Sequence, residues 1–146
     1  MSNVQSSYLL LAGILSFAAA SAHLACIVGG ASWYRAMGAG ERMARAAELG
    51  HWQPTLVTLG IAFVLGAWGL YAWSGAGLLR PLPLLRWVLL AITMVYLARG
   101  FLFVLLQPHF PGNSAAFWYW SSGICATIGL VHLAGLWQSW SRPGGT

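Results

Sequence analysis

The chain has 146 residues, of which 59% are hydrophobic and 6% are charged, and its mean hydropathy is +0.71. The polar residues are too few to cover the surface of a water-soluble protein of this size. The composition therefore predicts a single membrane-embedded domain over residues 1–146. The formal net charge of +5 comes from arginines scattered along the chain. This scatter favours contacts with lipid headgroups over nucleic-acid binding.

Four apolar stretches are long enough to cross a membrane, which takes about 20 residues per crossing. They cover residues 8–30, 53–76, 82–106 and 115–140. We therefore predict an all-α membrane protein in which four transmembrane helices form an antiparallel, up-down bundle. An even number of crossings places both termini on one side, the terminal side. The first and third connections then lie on the opposite side, the loop side.

The longest connection, residues 31–50, is also the most polar, and it holds both acids of the chain, Glu41 and Glu48. Glu41 and Arg45 have the i,i+4 spacing of a helical ion pair. The pattern predicts a short amphipathic, interfacial helix between the first two spans. In one interpretation such local pairs use both glutamates, and in the other a glutamate balances a charge inside the bundle.

That charge is Arg99, which lies inside the third apolar stretch. A guanidinium within a membrane costs several kcal/mol, so an intramembrane arginine is a functional candidate by default. Two interpretations are open. The side chain turns into the bundle and forms a polar pocket, or it extends to the loop-side interface and leaves only its stem in the apolar layer.

Counting along the helices places several polar groups at one depth. At 1.5 Å per residue, His23 and Arg99 each lie about seven residues, or roughly 10 Å, inside the loop-side end of their stretch. Ser122 and Cys125 reach this depth on the fourth stretch, and Thr58 on the second. The count predicts a polar layer, provided that each helix turns these residues inward.

The predicted pocket opens towards the loop side under residues 31–50 and takes a small amphipathic or anionic ligand. Arg99 binds the anionic group, His23 and Tyr96 supply hydrogen bonds, and Glu48 with His51 forms a gating or counter-charge pair. If Arg99 has an ionic partner in its own chain, Glu48 is the favoured one. The candidate ligand-binding residues are Arg99, His23, Tyr96, Glu48, His51 and Ser122.

No metal or cofactor is predicted. His23 and His132 differ in depth by about ten residues, or roughly 15 Å, which disfavours a haem held between them. His23, His51 and His109 could together bind a metal on the loop side, but they show no tight ligand spacing. Phosphate-loop and dinucleotide motifs are absent from the sequence.

An acid before a proline-containing helix start, as in Glu48, Gln53 and Pro54, resembles EXPERA-type four-helix membrane proteins, which include sterol isomerases and sigma-2-like receptors. The resemblance implies a bundle with a lipid-like ligand inside. It is one of architecture, and no catalytic roles are carried over from it.

Three functions are open at this stage. The leading hypothesis is a small integral membrane protein that binds the ligand for transport or sensing, with membrane lipids as further partners. A homodimer is one option, because a thin bundle with rows of small residues invites further packing. The alternatives are an accessory or assembly subunit of a larger membrane complex and an intramembrane enzyme acting on a lipid or isoprenoid.

The positive-inside rule leaves the orientation balanced. The loop side and the terminal side carry three arginines each, namely Arg35, Arg42 and Arg45 against Arg80, Arg86 and Arg142. Because the loop-side arginines share their segment with both glutamates, we expect the termini to lie in the cytoplasm. The expected location is a bacterial inner membrane.

Overall fold

A computed structural model describes residues 6–141, and all regular structure in this range is helical. Three helices are each long and apolar enough to cross a membrane, and a bent pair makes a fourth candidate span. The predicted all-α membrane class is therefore confirmed. The elements are α1 (Ser7–Ala36), α2 (Glu41–Glu48), α3 (Gln53–Gly75), α4 (Leu85–Phe101), α5 (Phe103–Leu106) with a 3-10 turn (Gln107–His109), and α6 (Ala115–Trp140).

The third apolar stretch is broken. We predicted one helix over residues 82–106, but α4 ends at Phe101 and the following segment, Phe103–His109, turns away by 71°. Small residues such as Gly100 are common at sharp kinks, since they weaken the helix and admit a close neighbour. Hydropathy does not predict this bend, because the residues on both sides of it are apolar.

The first span is also longer than predicted. α1 continues to Ala36 across a kink at Gly30, whose φ of 67° and ψ of −151° suit a residue without a side chain. The predicted end of the span at residue 30 thus coincides with the kink. The six residues after the kink carry Arg35 towards α2.

α1 and α3 pack side by side in opposite directions. At one end the Trp73 indole lies on Gly13 and donates a hydrogen bond to the Leu10 carbonyl, at 3.3 Å. At the other end the hydroxyls of Thr58 and Tyr34 are hydrogen-bonded to each other, at 3.2 Å. Contacts that pair early residues of one helix with late residues of the other define an antiparallel pair.

α4 and α6 form the second antiparallel pair. Gly100 lies directly on the backbone of Ala126, and Leu97 packs on Gly129. The glycines let the two helix backbones approach closely, as small residues do between helices in lipid. This contact fixes the height of Arg99 relative to α6.

Hydrogen bonds tie the two ends of the bundle. At one end Ser6 Oγ donates to Gln138 Oε1, at 2.7 Å, which brings the start of α1 to the end of α6. At the other end Asn113 Nδ2 donates to the Gly38 carbonyl, at 2.9 Å. The first and third connections therefore meet at one end of the structure, which we call the loop-side end.

Candidate functional site

Arg99 is half-buried and bonded to α6. Its Nη1 donates to Ser122 Oγ at 3.1 Å and its Nη2 donates to Ser121 Oγ at 3.0 Å. Its Cζ lies 5.0 Å from the centre of the Trp118 ring, within the range of a cation–π contact. Three residues within one turn of α6 thus hold the guanidinium.

The conformation of Arg99 has features of both predicted interpretations, inward rotation and extension towards the loop side. Because Gly100 faces Ala126, the Arg99 backbone is level with the turn of α6 that follows Ala126. Its serine partners lie about five residues earlier on α6, which is roughly 7 Å nearer the loop side. The side chain therefore turns onto the neighbouring helix and climbs towards the loop side at the same time.

Hydrogen-bond donors outnumber acceptors around this site. Trp118 is 3% exposed, and its Nε1–H finds no acceptor among the described residues. The guanidinium carries five N–H groups and accepts no hydrogen bond. Two of those N–H groups are used by the serines. An anionic acceptor would satisfy the remaining guanidinium donors, since charge-assisted bonds to carboxylate or phosphate are the strongest that Arg makes.

Both glutamates are bonded to arginines near the loop-side surface. Arg35 reaches Glu41 through Nε, at 2.8 Å, and Glu48 through Nη1, also at 2.8 Å. Arg45 Nε donates to Glu41 at 3.1 Å. This corrects the expectation that Glu48 balances the charge of Arg99. The extension of α1 past its kink brings Arg35 to α2. Because the sequence predicts a connection at Arg35, it could not predict this pairing with Glu48.

The Glu41 network predicts a specific response to acid. Hydrogen bonds from Arg35, and then from Arg45, lower the pKa of the Glu41 carboxyl from 4.5 to about 2. Because the pKa is lower in the folded state, the contribution to stability is complete above pH 4.5 and is lost as the pH falls towards 2. We expect the melting temperature to fall across this window in wild type and to fall less in Glu41→Gln. An equal fall in both proteins would contradict the assignment.

Four residues were predicted to share a layer with Arg99, namely His23, Thr58, Ser122 and Cys125. Of these, only Ser122 is hydrogen-bonded to it. His23 Nδ1 donates to the Ala19 carbonyl of its own helix, at 2.8 Å, and Thr58 bonds within α3 and to Tyr34. A shared predicted depth is therefore not enough to bring these side chains into contact. The outcome depends on which way each helix is rotated.

Tyr96 belongs to a separate polar group in the core. Its hydroxyl bonds to the Ser16 hydroxyl at 3.0 Å, and its ring packs against Trp68 and His132. Tyr96 lies three residues before Arg99 on the same face of α4, but its polar contact is with α1.

His51 is exposed and lies apart from the bundle interior. It lines a shallow groove at the surface of α2 together with Arg42 and Gln53. The predicted gating pair of Glu48 and His51 thus falls outside the group around Arg99, while Glu48 itself is held by Arg35.

Sequence reasoning missed Trp118 and Ser121 as partners of Arg99. A tryptophan near the start of an apolar span is typical of an interfacial aromatic belt, which needs no ligand to explain it. Residues three or four positions apart share a helix face, so Trp118, Ser121 and Ser122 form one patch on α6. This spacing was the available signal.

An apolar groove opens between α1 and α6 on another face. It has a volume of about 660 Å³, and small side chains such as Ala18, Ala22 and Gly123 form part of its wall. At 100° per residue, Gly123 points well away from Ser122 on α6. The groove is therefore separate from the Arg99 site.

Taken together, the described residues define an all-helical integral membrane protein with a half-buried arginine held by serines near one end. Within residues 6–141, no cluster of three His, Cys, Asp or Glu side chains is arranged to hold a metal ion. Comparisons with protein-family models, with curated proteins and with solved structures found no match to the chain.

Proposed function

We propose that this protein binds a small amphipathic molecule through its anionic group, with Arg99 and Trp118 as the binding residues, for transport or sensing. The observation that supports this most strongly is the donor excess at the site. A guanidinium and a buried indole N–H lie together, and the glutamates are bonded to Arg35 and Arg45 instead.

The position of the site favours an amphipathic ligand. α4 has 17 residues, which corresponds to about 25 Å, and Arg99 lies two residues before its end. A hydrocarbon core is about 30 Å thick, so a guanidinium that climbs towards the loop side reaches the level of lipid headgroups. A carboxylate or phosphate at this level would leave its apolar tail in the membrane.

α5 offers apolar surface beside the site. It begins four residues after Arg99, and its side chains Val104 and Leu105 are 61% and 67% exposed. Phe101, at the bend, is 61% exposed. These side chains would contact the tail of a ligand whose anionic group is bound at Arg99.

The proposal includes a topology of four antiparallel spans, with α2 at the interface and the termini in the cytoplasm of a bacterial inner membrane. The bond between Asn113 and Gly38 supports it by bringing two connections to one end. Arg35 and Arg45 are ion-paired with glutamates, which lowers their weight in the positive-inside rule. Arg142, which entered the count for the terminal side, lies outside the described residues.

Binding of oleate and phosphatidylglycerol, measured by native mass spectrometry of the protein in detergent, tests the function. We expect Arg99→Leu to weaken both by about tenfold or more, the value of one charged hydrogen bond of roughly 1.5–3 kcal/mol. Trp118→Phe keeps the ring but removes the N–H, so a smaller loss is expected. Phosphatidylcholine, which has no net charge, should bind equally to all variants.

Arg86→Leu is the matched control, because Arg86 is an exposed arginine at the opposite end of the same helix. It should leave oleate binding unchanged. Unchanged binding in Arg99→Leu, with unchanged or increased thermal stability, would contradict the proposal.

The alternative of an accessory subunit is favoured by large tryptophans on the outer surface. Trp87, Trp120 and Trp137 are each more than 70% exposed. Tryptophans at membrane interfaces have the same pattern, so the mass of the extracted particle separates the two functions. A monomer or homodimer that carries an anionic lipid supports ligand binding, whereas a stable complex with other chains supports the subunit.

A further inference from the structure

The centre of the bundle contains a polar group that plays no part in the Arg99 site. Ser16 of α1, Tyr96 of α4 and His132 of α6 are 0%, 4% and 0% exposed. The hydroxyls of Ser16 and Tyr96 lie 3.0 Å apart, and the rings of Tyr96 and His132 have centroids 5.3 Å apart. Three helices therefore meet at three polar side chains.

The protonation of His132 follows from its hydrogen bond. Its Nδ1 lies 2.9 Å from the Ile128 carbonyl oxygen, which can only accept. Nδ1 therefore carries the hydrogen. In the neutral ring, Nε2 is then a bare lone pair. This Nε2 is buried and has no partner among the described residues, which is a costly state for a polar atom in a low-dielectric interior.

Within residues 6–141, the Ser16–Tyr96 hydroxyl pair lacks a hydrogen-bond acceptor, whereas Nε2 of His132 lacks a donor. One hydroxyl donates to the other, which uses one of the two O–H groups. Among the hydrogen bonds of the described residues, each of these hydroxyls has only the other as its partner. One O–H of the pair thus lacks an acceptor, while the neighbouring Nε2 lacks a donor.

We propose that Ser16, Tyr96 and His132 bind a single water molecule between them. The water donates one hydrogen to Nε2 of His132 and accepts the free O–H of the Ser16–Tyr96 pair. A lone pair and a free O–H fit a small neutral molecule that both donates and accepts. Buried water typically satisfies two to four such groups.

The surroundings suit a ligand of this size. The side chains one turn before and one turn after Ser16 on the same face of α1, Ala12 and Ala20, are small and buried. The bridging water would join α1, α4 and α6 through hydrogen bonds at the middle of the bundle. His132, which sequence reasoning considered only as a haem ligand, would thus contribute to the bundle through Nε2.

Magic-angle-spinning NMR of protein with ¹⁵N-labelled histidine in lipid bilayers tests the site. We expect magnetisation from water to reach Nε2 of His132, with a chemical shift of an unprotonated nitrogen that accepts a hydrogen bond. Tyr96→Phe and Ser16→Ala each remove a hydroxyl, and either should weaken the transfer from water at least severalfold. His132→Phe assigns the signal by removing it.

Melting temperatures provide an independent readout. Because one water joins the groups, the losses caused by His132→Phe and Tyr96→Phe should add to more than the loss in the double variant. His23→Phe is the control, since His23 has the same Nδ1 bond to a carbonyl four residues earlier but lies on another part of α1. Its effect should add to that of Tyr96→Phe.

Two results would overturn the proposal. The first is a wild-type spectrum in which His132 Nε2 receives no magnetisation from water and has the shift of a lone pair without a hydrogen bond. The second is a direct hydrogen bond from Tyr96 or Ser16 to Nε2, detected as transfer from the hydroxyl proton. Loss of folding in one hydroxyl variant leaves both wild-type measurements and the other variant as tests.

Discussion

Replacing Gly100 with Ala is expected to destabilise the protein by about 1–3 kcal/mol, as overpacking does in tight cores. A Cβ at this position would lie 2.6 Å from the backbone nitrogen and 2.7 Å from the Cα of Ala126. Backbone atoms have no rotamer by which to move aside. α4 would therefore have to separate from α6.

The direction of this effect is informative. Intrinsic propensity favours Ala over Gly within a helix by about 1 kcal/mol, so a helix without a close neighbour would gain stability. Gly123→Ala is the matched control, because a Cβ at Gly123 has open space within 4 Å. It should be neutral or stabilising. The free energy of unfolding in mixed micelles measures both variants.

The same substitution connects packing to the proposed function. Arg99 reaches Ser121 and Ser122 because Gly100 lets the two helices approach. A Gly100→Ala variant that remains fully stable would show that α4 and α6 are farther apart than described. In that case the Arg99 site itself would need revision.

Replacing Leu9 with Ala is expected to cost about 2–5 kcal/mol of unfolding free energy, the range found for fully buried leucines. Leu9 is completely buried and packs on Gly135 of α6 and Gly75 of α3. Because these neighbours are glycines, they have no side chains that could move into the space left by the leucine. The cavity and the lost dispersion contacts together cause the loss.

Leu11→Ala is the control for this prediction. Leu11 lies two residues away on the same helix and is 44% exposed. In a membrane its outer surface contacts lipid, which fills the space after truncation, so we expect a much smaller effect. Equal losses for Leu9→Ala and Leu11→Ala would contradict the packing of α1 against α3 and α6.

The sequence predicted the class of protein and the bounds of two of the four apolar spans. Predicted spans at residues 53–76 and 115–140 match Gln53–Gly75 and Ala115–Trp140. It also predicted Ser122 as a neighbour of Arg99, and the structure joins the two, although the Arg99 side chain has to cover about 7 Å of helix rise to reach it. These properties follow from hydropathy and from a constant rise per residue, which belong to each helix by itself.

Contacts between distant parts of the chain decided the rest. No pattern within the local sequence predicts three features: the 71° bend after Phe101, the bond from Arg35 to Glu48 and the contact of Tyr96 with α1. In apolar helices nearly every face is hydrophobic, so periodicity does not show which face turns inward. Packing determines which face turns inward, because small residues such as Gly100 and Gly129 decide which helix surfaces can approach each other closely.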